Sequence, residues 1–205
     1  MTAILKTLST LVAIALVAGC ASKVDAPTQY DLGLLPAAAA SAGISAASAL
    51  PAISLADVNA PAWLDNNMMY FRLAYANQQQ PRPYANSRWT MPPAQLFQQR
   101  LKTRVAQAGG TVLAMSDAAL NIPLLRIDLD DFTQTFDTPS HSLATLQIRA
   151  SLFNGRVLLA QKSFSRQVAT PSADAAGAAS AFVAANDSVI DDLMNWLATA
   201  APKKQ

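Results

Sequence analysis

The sequence predicts an α+β fold: a mostly antiparallel sheet of about five to six strands covered by two helices, one of them a long C-terminal helix. Residues 125–130 and 145–152 alternate apolar and polar side chains, which is typical of half-buried strands. Residues 93–108 and 172–200 repeat apolar side chains at helical spacing. The chain of 205 residues is long enough to bury a core of its own, so residues 30–200 are predicted to form a single domain.

A hairpin is predicted at Asn154-Gly155, between the second alternating segment and a returning strand. A two-residue loop would pair Leu152 with Val157, whereas a three-residue loop would pair Leu152 with Leu158. We favour a bulge or a longer turn, because a slip of one residue would exchange the two faces of the strand and leave the core face less apolar.

Shorter segments complete the predicted order of elements. Residues 77–86 are polar and contain Pro81 and Pro83, so they are predicted to form a loop. Ser172, directly after Pro171, is the predicted N-cap of the long helix. Four further segments are candidate strands: residues 30–35, 53–58, 68–75 and 111–115.

Composition excludes several classes of function. The chain has 15 Lys and Arg residues against 13 acidic residues, all of them Asp, and a net charge of +2 is too small to predict a nucleic-acid partner. One His and one Cys cannot build a structural zinc site, so no metal is predicted. The seven glycines form neither GxGxxG nor GxxxxGK[ST], so a phosphate-binding loop is unsupported.

Two groups of side chains suggest catalysis, and neither is assigned as catalytic. His141 follows Ser140, but no Gly-x-Ser-x-Gly motif is present, and we favour a solvated turn histidine over a hydrolase. Asp128, Asp130 and Asp131 could hold Ca²⁺ or transfer protons. Because strand alternation places Asp128 and Asp130 on the polar face, a solvated sheet surface is the favoured interpretation.

The N-terminus has the layout of a secretory signal peptide, predicted for residues 1–19. Lys6 precedes an apolar stretch of about a dozen residues, which is followed by small residues. The stretch is short for a transmembrane helix, which needs about 20 apolar residues.

The end of that segment, Val17-Ala18-Gly19-Cys20, resembles the bacterial lipobox. In that motif the cysteine thiol receives a diacylglycerol, a signal peptidase recognises the three preceding residues and cuts before the cysteine, and the new amine is usually acylated. The alternative is an ordinary signal peptide in which the only cysteine happens to lie at this position. We predict that Cys20 carries an N-acyl diacylglycerol, that no other cofactor is bound, and that residues 20–29 form a lipidated tether.

The predicted location of the protein is the periplasmic face of the outer membrane. An aspartate directly after the lipidated cysteine commonly retains a lipoprotein in the inner membrane, and here Ala21 and Ser22 follow instead. Residues 36–51 are rich in Ala and Ser and are predicted to form a flexible loop. Residues 201–205 are predicted to form a frayed tail.

The dipeptide Arg88-Trp89, just before the first helix, is the candidate partner interface. Trp and Arg are the residue types most enriched at binding hot spots. The alternative is a tryptophan that plugs the junction of helix and sheet, with the arginine on a nearby carboxylate. The sequence leaves both open.

Taken together, these landmarks resemble the ABC-type transport auxiliary lipoprotein family over most of residues 30–199. The resemblance follows the order and spacing of several short segments and not one specific motif. They are Tyr30-Asp31-Leu32, Leu64-Asp65 before a strand that ends in Arg72, Arg88-Trp89 ahead of a helix with Leu96 and Leu101, and a late hairpin that reaches Phe164 before the terminal helix.

The resemblance implies a non-enzymatic role in transport. Such lipoproteins work with MCE-domain proteins, which form channels across the periplasm, and with an ABC transporter of the inner membrane, to move lipids or other hydrophobic compounds. The lipoprotein would dock at the outer-membrane end, and a homo-oligomeric ring is one form it could take. The alternative function is a periplasmic lipid-binding carrier or chaperone that holds its ligand between the helices and the sheet.

Overall fold

The computed structural model describes residues 26–35, 52–117 and 122–201. The predicted signal peptide, Cys20, the Ala/Ser-rich segment and residues 202–205 lie outside this part. The described elements, in chain order, are β1 (Thr28–Tyr30), β2 (Ile53–Leu55), β3 (Met68–Leu73), β4 (Asn77–Trp89), α1 (Pro93–Gln107), β5 (Val112–Ala114), a 3₁₀ turn (Met115–Asp117), β6 (Leu124–Thr138), β7 (His141–Asn154), β8 (Val157–Ala169) and α2 (Ala175–Ala200).

The predicted α+β fold with two helices is confirmed, but the prediction of a mostly antiparallel sheet of five to six strands is wrong. The described sheet has eight strands and is mixed. On one side of β6 lie β7 and then β8, both antiparallel to their neighbours. On the other side of β6, β2 runs parallel to its first residues and β3 parallel to its last. The remaining strands extend these two branches, β5 beside β2, and β4 and then β1 beside β3.

Only β4 lies where no strand was predicted. β1, β2 and β5 overlap the candidate strands at residues 30–35, 53–58 and 111–115, but with three residues each they are too short to indicate their partners. The predicted polar loop at residues 77–86 is part of β4, which tolerates Pro81 and Pro83 because its outer edge has no strand beside it there. The first strand is Thr28–Tyr30 and not residues 30–35, so it shares only Tyr30 with the prediction.

The core lies between one face of the sheet and the two helices. Alternate residues of β6 and β7 are buried, as the sequence pattern predicts. A bulge at Asp130 interrupts the β6–β7 ladder, so that Leu129 and Phe132 both face the core although they are three residues apart.

The β7–β8 hairpin contains the predicted bulge, with a register that the sequence did not fix. Asn154 pairs with Val157 across a tight turn in which Gly155 adopts a φ of +57°. The bulge follows at once in β8, and Leu152 therefore pairs with Ala160, not with either partner considered from the sequence. This register places Phe164 opposite Ile148, so two core residues meet.

The long C-terminal helix is confirmed, but its predicted cap is wrong by two residues. Asp174 is the N-cap, and its carboxylate accepts a hydrogen bond of 2.7 Å from the backbone of Gly177. The hydroxyl of Ser172 donates to the same carboxylate at 2.8 Å. These two hydrogen bonds to the charged form hold the pKa of Asp174 below its usual range.

Candidate functional site

The segment after β1 is fixed to both helices by one arginine. Arg100 of α1 is only 5% exposed, and its guanidinium donates to the carbonyl of Leu32 at 2.7 Å. The same guanidinium makes two hydrogen bonds, of 2.7 and 2.8 Å, to the carboxylate of Asp187 on α2. The chain that leads from the predicted tether is therefore joined directly to the helical layer.

A second ion pair connects the helices one turn further along. Arg104 bonds to Asp191, and both side chains are partly exposed. The two arginines are four residues apart, and so are the two aspartates, which is the spacing of neighbours on a helix face. These two ion pairs were not predicted, although the matched spacing and the position of Arg100 among apolar residues of the helix are visible in the sequence.

The two residues of the predicted partner interface, Arg88 and Trp89, have different environments. Trp89 is 2% exposed and lies in the core, edge-on to Phe132 at 5.4 Å and to Phe182 at 5.6 Å. Phe132 and Phe182 stack at 4.0 Å, so this aromatic cluster fills the junction of sheet and helix. Trp89 thus has the core position that the sequence left open as the alternative, and its side chain is not available to a partner in the folded domain.

Arg88 is half-buried, and among the described residues it does not reach a carboxylate, in contrast to the alternative expected from the sequence. Its guanidinium donates to two backbone carbonyls of its own strand, those of Tyr84 and Ser87. These bonds hold Arg88 along the outer part of β4. A partner contact at this residue stays a prediction.

A buried polar network lies near the start of α2. The hydroxyl of Tyr84 donates to the side chain of Gln134 at 2.6 Å, and Gln134 donates to Ser142 at 2.8 Å. Ser142 and Thr170 share a further hydrogen bond of 2.6 Å. Burial, with a smaller contribution from the charge of Asp174, raises the pKa of Tyr84 to about 12. A phenol with this pKa stays protonated as a donor, which suits a structural network.

The acidic cluster of β6 is divided between two environments. Asp128 and Asp130 lie on the face away from the helices, 3.4 and 3.9 Å from Arg149, in partly exposed ion pairs. Asp131 is more buried, which raises its pKa, and it accepts a hydrogen bond of 2.8 Å from Thr133. In the described part of the chain, no group of three or more His, Cys or Asp side chains is placed to hold a metal ion.

His141 lies at the exposed β6–β7 turn and pairs with Asp137. Its Nδ1 atom is 2.7 Å from the carboxylate, and this hydrogen bond lowers the pKa of Asp137. Ser142, the next residue, bonds to Gln134 and Thr170 and not to the imidazole. Among the hydrogen bonds of the described residues none joins a hydroxyl to this ring, so the pairing that a serine nucleophile requires is not formed there.

The outer strand β8 presents the most exposed apolar residues of the sheet. Val157, Leu158 and Leu159 are 64%, 50% and 38% exposed at the start of the strand. Among the described strands only β7 pairs with β8, so the other edge of this 13-residue strand is open. Long open edges with apolar residues are sites where another chain can pair.

An open groove of about 510 Å³ runs between β8 and the C-terminal half of α2. Phe164 and Trp196 form its apolar part, edge to face with 6.0 Å between ring centroids. Polar side chains, including Lys162, Asp192 and Asn195, line the rest of it. The groove therefore offers aromatic and polar contacts together.

A second groove, of about 380 Å³, lies between the segment after β1 and α1. It ends where the chain leaves the described residues at Leu35, and Leu34 beside it is almost fully exposed. Neither helix in the described ranges is long and apolar enough to cross a bilayer.

Solved structures show the same fold at low sequence identity. The protein XCC0632 from Xanthomonas campestris, described as a member of the DUF330 family, superposes with a TM-score of 0.67 at 20% identity, over 85% of this chain and 94% of that one. An uncharacterized protein superposes with a TM-score of 0.66 at 12% identity, over 84% of this chain and 99% of that one. No curated protein shows significant sequence similarity to the chain.

Sequence comparison with family models gives a more specific result. Residues 30–197 match the model described as "ABC-type transport auxiliary lipoprotein component". The matched range begins at the last residue of β1 and ends near the end of α2, so it covers nearly all the described elements. The chain therefore belongs to the family of ABC-type transport auxiliary lipoprotein components.

Proposed function

We propose that this protein is a non-enzymatic accessory lipoprotein of an MCE-type ABC transport system, which moves lipids or other hydrophobic compounds across the periplasm. One observation carries the proposal: the family match spans the folded domain of a chain whose only cysteine, Cys20, ends a lipobox-like segment. In this role the protein anchors and docks, and it performs no chemistry.

The anchor in this proposal is lipid on Cys20. Burial of acyl chains stabilises membrane attachment by about 0.8 kcal/mol per CH₂ group, so two or three long chains make release negligible. Because Ala21 and Ser22 follow the cysteine, the proposed location is the inner leaflet of the outer membrane, facing the periplasm.

The described geometry supports attachment through β1. The tether between Cys20 and Thr28 leads into an edge strand paired with the end of β4. Arg100 then holds the segment after β1 to α1 and α2. The proposed tether therefore leads into a segment that is bonded to the sheet and to both helices.

Docking is better supported than carriage of a lipid inside the domain. A carrier would hold its ligand between the helices and the sheet, where Trp89, Phe132 and Phe182 pack against one another. The two grooves described above are open and lined by polar as well as apolar residues. These surfaces suit contact with another protein, and the proposed partner is the MCE-domain protein, with a homo-oligomeric ring as a further expectation.

The test is a mild-detergent pull-down of the tagged full-length protein from native membranes, with the recovered proteins identified by mass spectrometry. We expect an MCE-domain protein among them. Good recovery of the lipoprotein alone, even after chemical cross-linking, would count against docking. Lipid that co-purifies with the delipidated domain would then support the carrier instead.

The anchor is tested separately with Cys20→Ala. The variant should fold and should no longer associate with membranes in a flotation assay. If Cys20→Ala still floats with membranes as the wild-type does, the proposed anchor is wrong.

A further inference from the structure

We propose that the free edge of β8 is the docking surface for an extended, acidic segment of a partner protein, which adds to the sheet as a further strand. This inference rests on the proposed docking function and assigns it a surface. The open edge, the groove beside it and the charges around it support the inference independently.

Within the part of the chain that the structure describes, the outer edge of β8 has a regular row of backbone groups with no partner strand. The amide of Thr170 donates to the carbonyl of Ser142 at 3.0 Å, which sets the phase of the β7–β8 ladder. In an antiparallel pair the inward and outward groups alternate along each strand. The residues whose amide and carbonyl groups point to the open edge are therefore Gln161, Ser163, Ser165 and Gln167.

This edge lacks most of the features that block pairing with another chain. Natural edge strands are commonly short or carry proline and charged residues. β8 is 13 residues long and contains no proline, and its one bulge lies at the hairpin end, between residues 158 and 160. It carries two charged residues, Lys162 and Arg166, of which Arg166 is paired with Asp192. From Ala160 to Ala169 the register is regular, so an added strand would meet a straight ladder.

The groove beside β8 would receive alternate side chains of the added strand. Such a strand would lie about 4.8 Å from β8, with side chains pointing alternately to the two faces of the sheet. On the helix side they would meet the edge of Trp196 and the ring of Phe164. A half-buried tryptophan in a groove is a common anchor of binding energy.

The charges around the edge favour an acidic segment. Lys162 lies with its ammonium 5.2 Å from the ring centroid of Phe164, and Arg156 lies in the turn before β8. Neither forms an ion pair within the described ranges of the chain. The groove carboxylate of Asp192 is neutralised by Arg166 at 2.6 Å. Carboxylates of an incoming strand would therefore meet two cations that have no ion-pair partner among the described residues, while the groove carboxylate of Asp192 is already paired.

A lipid surface matches these observations less well than a peptide does. Anionic headgroups could meet Lys162 and Arg156, but they cannot supply the alternating donors and acceptors that an open strand edge requires. The strand order also places β8 at the opposite edge from β1, five strand spacings or about 24 Å away. The proposed tether enters the sheet at β1, so the β8 edge lies at the other end of the strand order from that point of entry.

The first experiment places a photoreactive benzoylphenylalanine at Ser163 in the full-length protein, in its native cell envelope. Ser163 is exposed, and its side chain lies on the face away from the helices, so the probe leaves the core intact. Tyr75, exposed in the β3–β4 turn, is the control position. We expect light-dependent cross-links from Ser163 alone to an acidic segment of one protein identified by mass spectrometry. Cross-links to a second copy of this chain or to lipid would overturn the proposal, and so would equal cross-linking from both positions.

The second experiment removes one outward amide. Ser165→Pro deletes a backbone donor that faces the open edge, whereas Ser165→Ala keeps it. With the probe at Ser163, we expect cross-linking to fall about tenfold in the proline variant and to stay unchanged in the alanine variant. Circular dichroism melting confirms folding. If Ser165→Pro does not fold, Lys162→Asp is the replacement, because it reverses a charge at the edge without altering the backbone, and the same loss is expected.

The two proposals can fail separately. If an MCE-domain protein co-purifies equally well with wild-type, Ser165→Pro and Lys162→Asp, docking stands and the β8 surface is wrong. If no such protein co-purifies with the wild-type, the docking function itself fails.

Discussion

At one side of the sheet, β4 carries Pro81 and Pro83, and its last residues are covered by β1, while at the other side β8 runs for 13 residues with no described strand beside it. Trp89, the last residue of β4, lies in the core. The segment that follows β1 is held to α1 by the hydrogen bond from Arg100 to the Leu32 carbonyl. The β8 side keeps its apolar residues Val157 to Leu159 exposed. The β4 edge is therefore interrupted by two prolines and covered at its end by β1, whereas the β8 edge has neither a proline nor a described strand beside it.

The largest expected difference between the edges concerns their apolar residues. Trp89→Ala should lower the free energy of unfolding by about 3–5 kcal/mol, because it empties the space beside Phe132 and Phe182. Leu158→Ala at the open edge should change it by less than about 0.5 kcal/mol. Urea unfolding of both variants measures this. Equal losses would show that the start of β8 is not a free surface.

The next difference is between two ion pairs, one that holds the segment after β1 and one that joins β8 to α2. Arg100→Ala should cost about 2–4 kcal/mol, because the guanidinium is buried and its loss leaves the Leu32 carbonyl and the Asp187 carboxylate without their partner. Arg166→Ala removes the pair with Asp192, in which both side chains are well exposed, and should cost less than about 1 kcal/mol. Chemical unfolding under one buffer condition compares the two variants. A cost for Arg100→Ala as small as that for Arg166→Ala would show that Arg100 does not hold the segment after β1 to the helices.

The third prediction concerns α2, which contacts Trp89 through Phe182 and lines the β8 groove through Trp196. Asp174→Ala should cost about 0.5–2 kcal/mol through loss of the N-cap, while Asp174→Asn should keep most of the stability.

The folded-state pKa of Asp174 is lowered, so the stability it contributes is fully present above its unfolded pKa of about 3.9 and is lost as the pH falls through the folded pKa. Any advantage of the wild-type over Asp174→Asn should therefore shrink as the pH is lowered from about 6 to about 3. Unfolding at several pH values measures it. An advantage that grows in acid would contradict this assignment of the cap.

The smallest expected effect is that of Ser165→Pro on stability. Its amide points away from β7, so proline removes no ladder hydrogen bond and should change the free energy of unfolding by less than about 1 kcal/mol. Val168→Pro, whose amide points toward β7, should cost about 3 kcal/mol or more. Thermal melts of the two variants compare them. A Ser165→Pro loss equal to that of Val168→Pro would show that the outer edge of β8 is already paired.

The parts of the fold that the sequence predicted are those with strong local periodicity. β6, β7 and both helices are long, and their buried residues recur at two or about 3.6 residues. β4 could not be recognised, because most of its side chains are exposed and prolines are tolerated on its open edge. The cap was placed at Ser172 because serine and aspartate are both good caps, and only the three-dimensional structure distinguishes them.

For the candidate surfaces as well, the sequence shows which residues stand out, and the packing decides whether they are exposed. The sequence predicts a partner interface at Arg88-Trp89, but whether a tryptophan faces a partner or the core depends on its neighbours in space, here Phe132 and Phe182. The exposed run Val157 to Leu159 looked from the sequence like an ordinary part of a returning strand. Its exposure follows from the position of β8 at the edge, which is a property of strand order and not of local pattern.

By itself the sequence determined the α+β class, the two helices, the central hairpin and the family that residues 30–197 match. These follow from local periodicity, from turn chemistry and from the order of landmarks along the chain. Only the tertiary structure decided the parallel pairings of the short strands, the clamp of Arg100 on Leu32 and Asp187, and the open edge of β8. These contacts join residues far apart in the chain, so the packing of the whole sheet on the helices selects them.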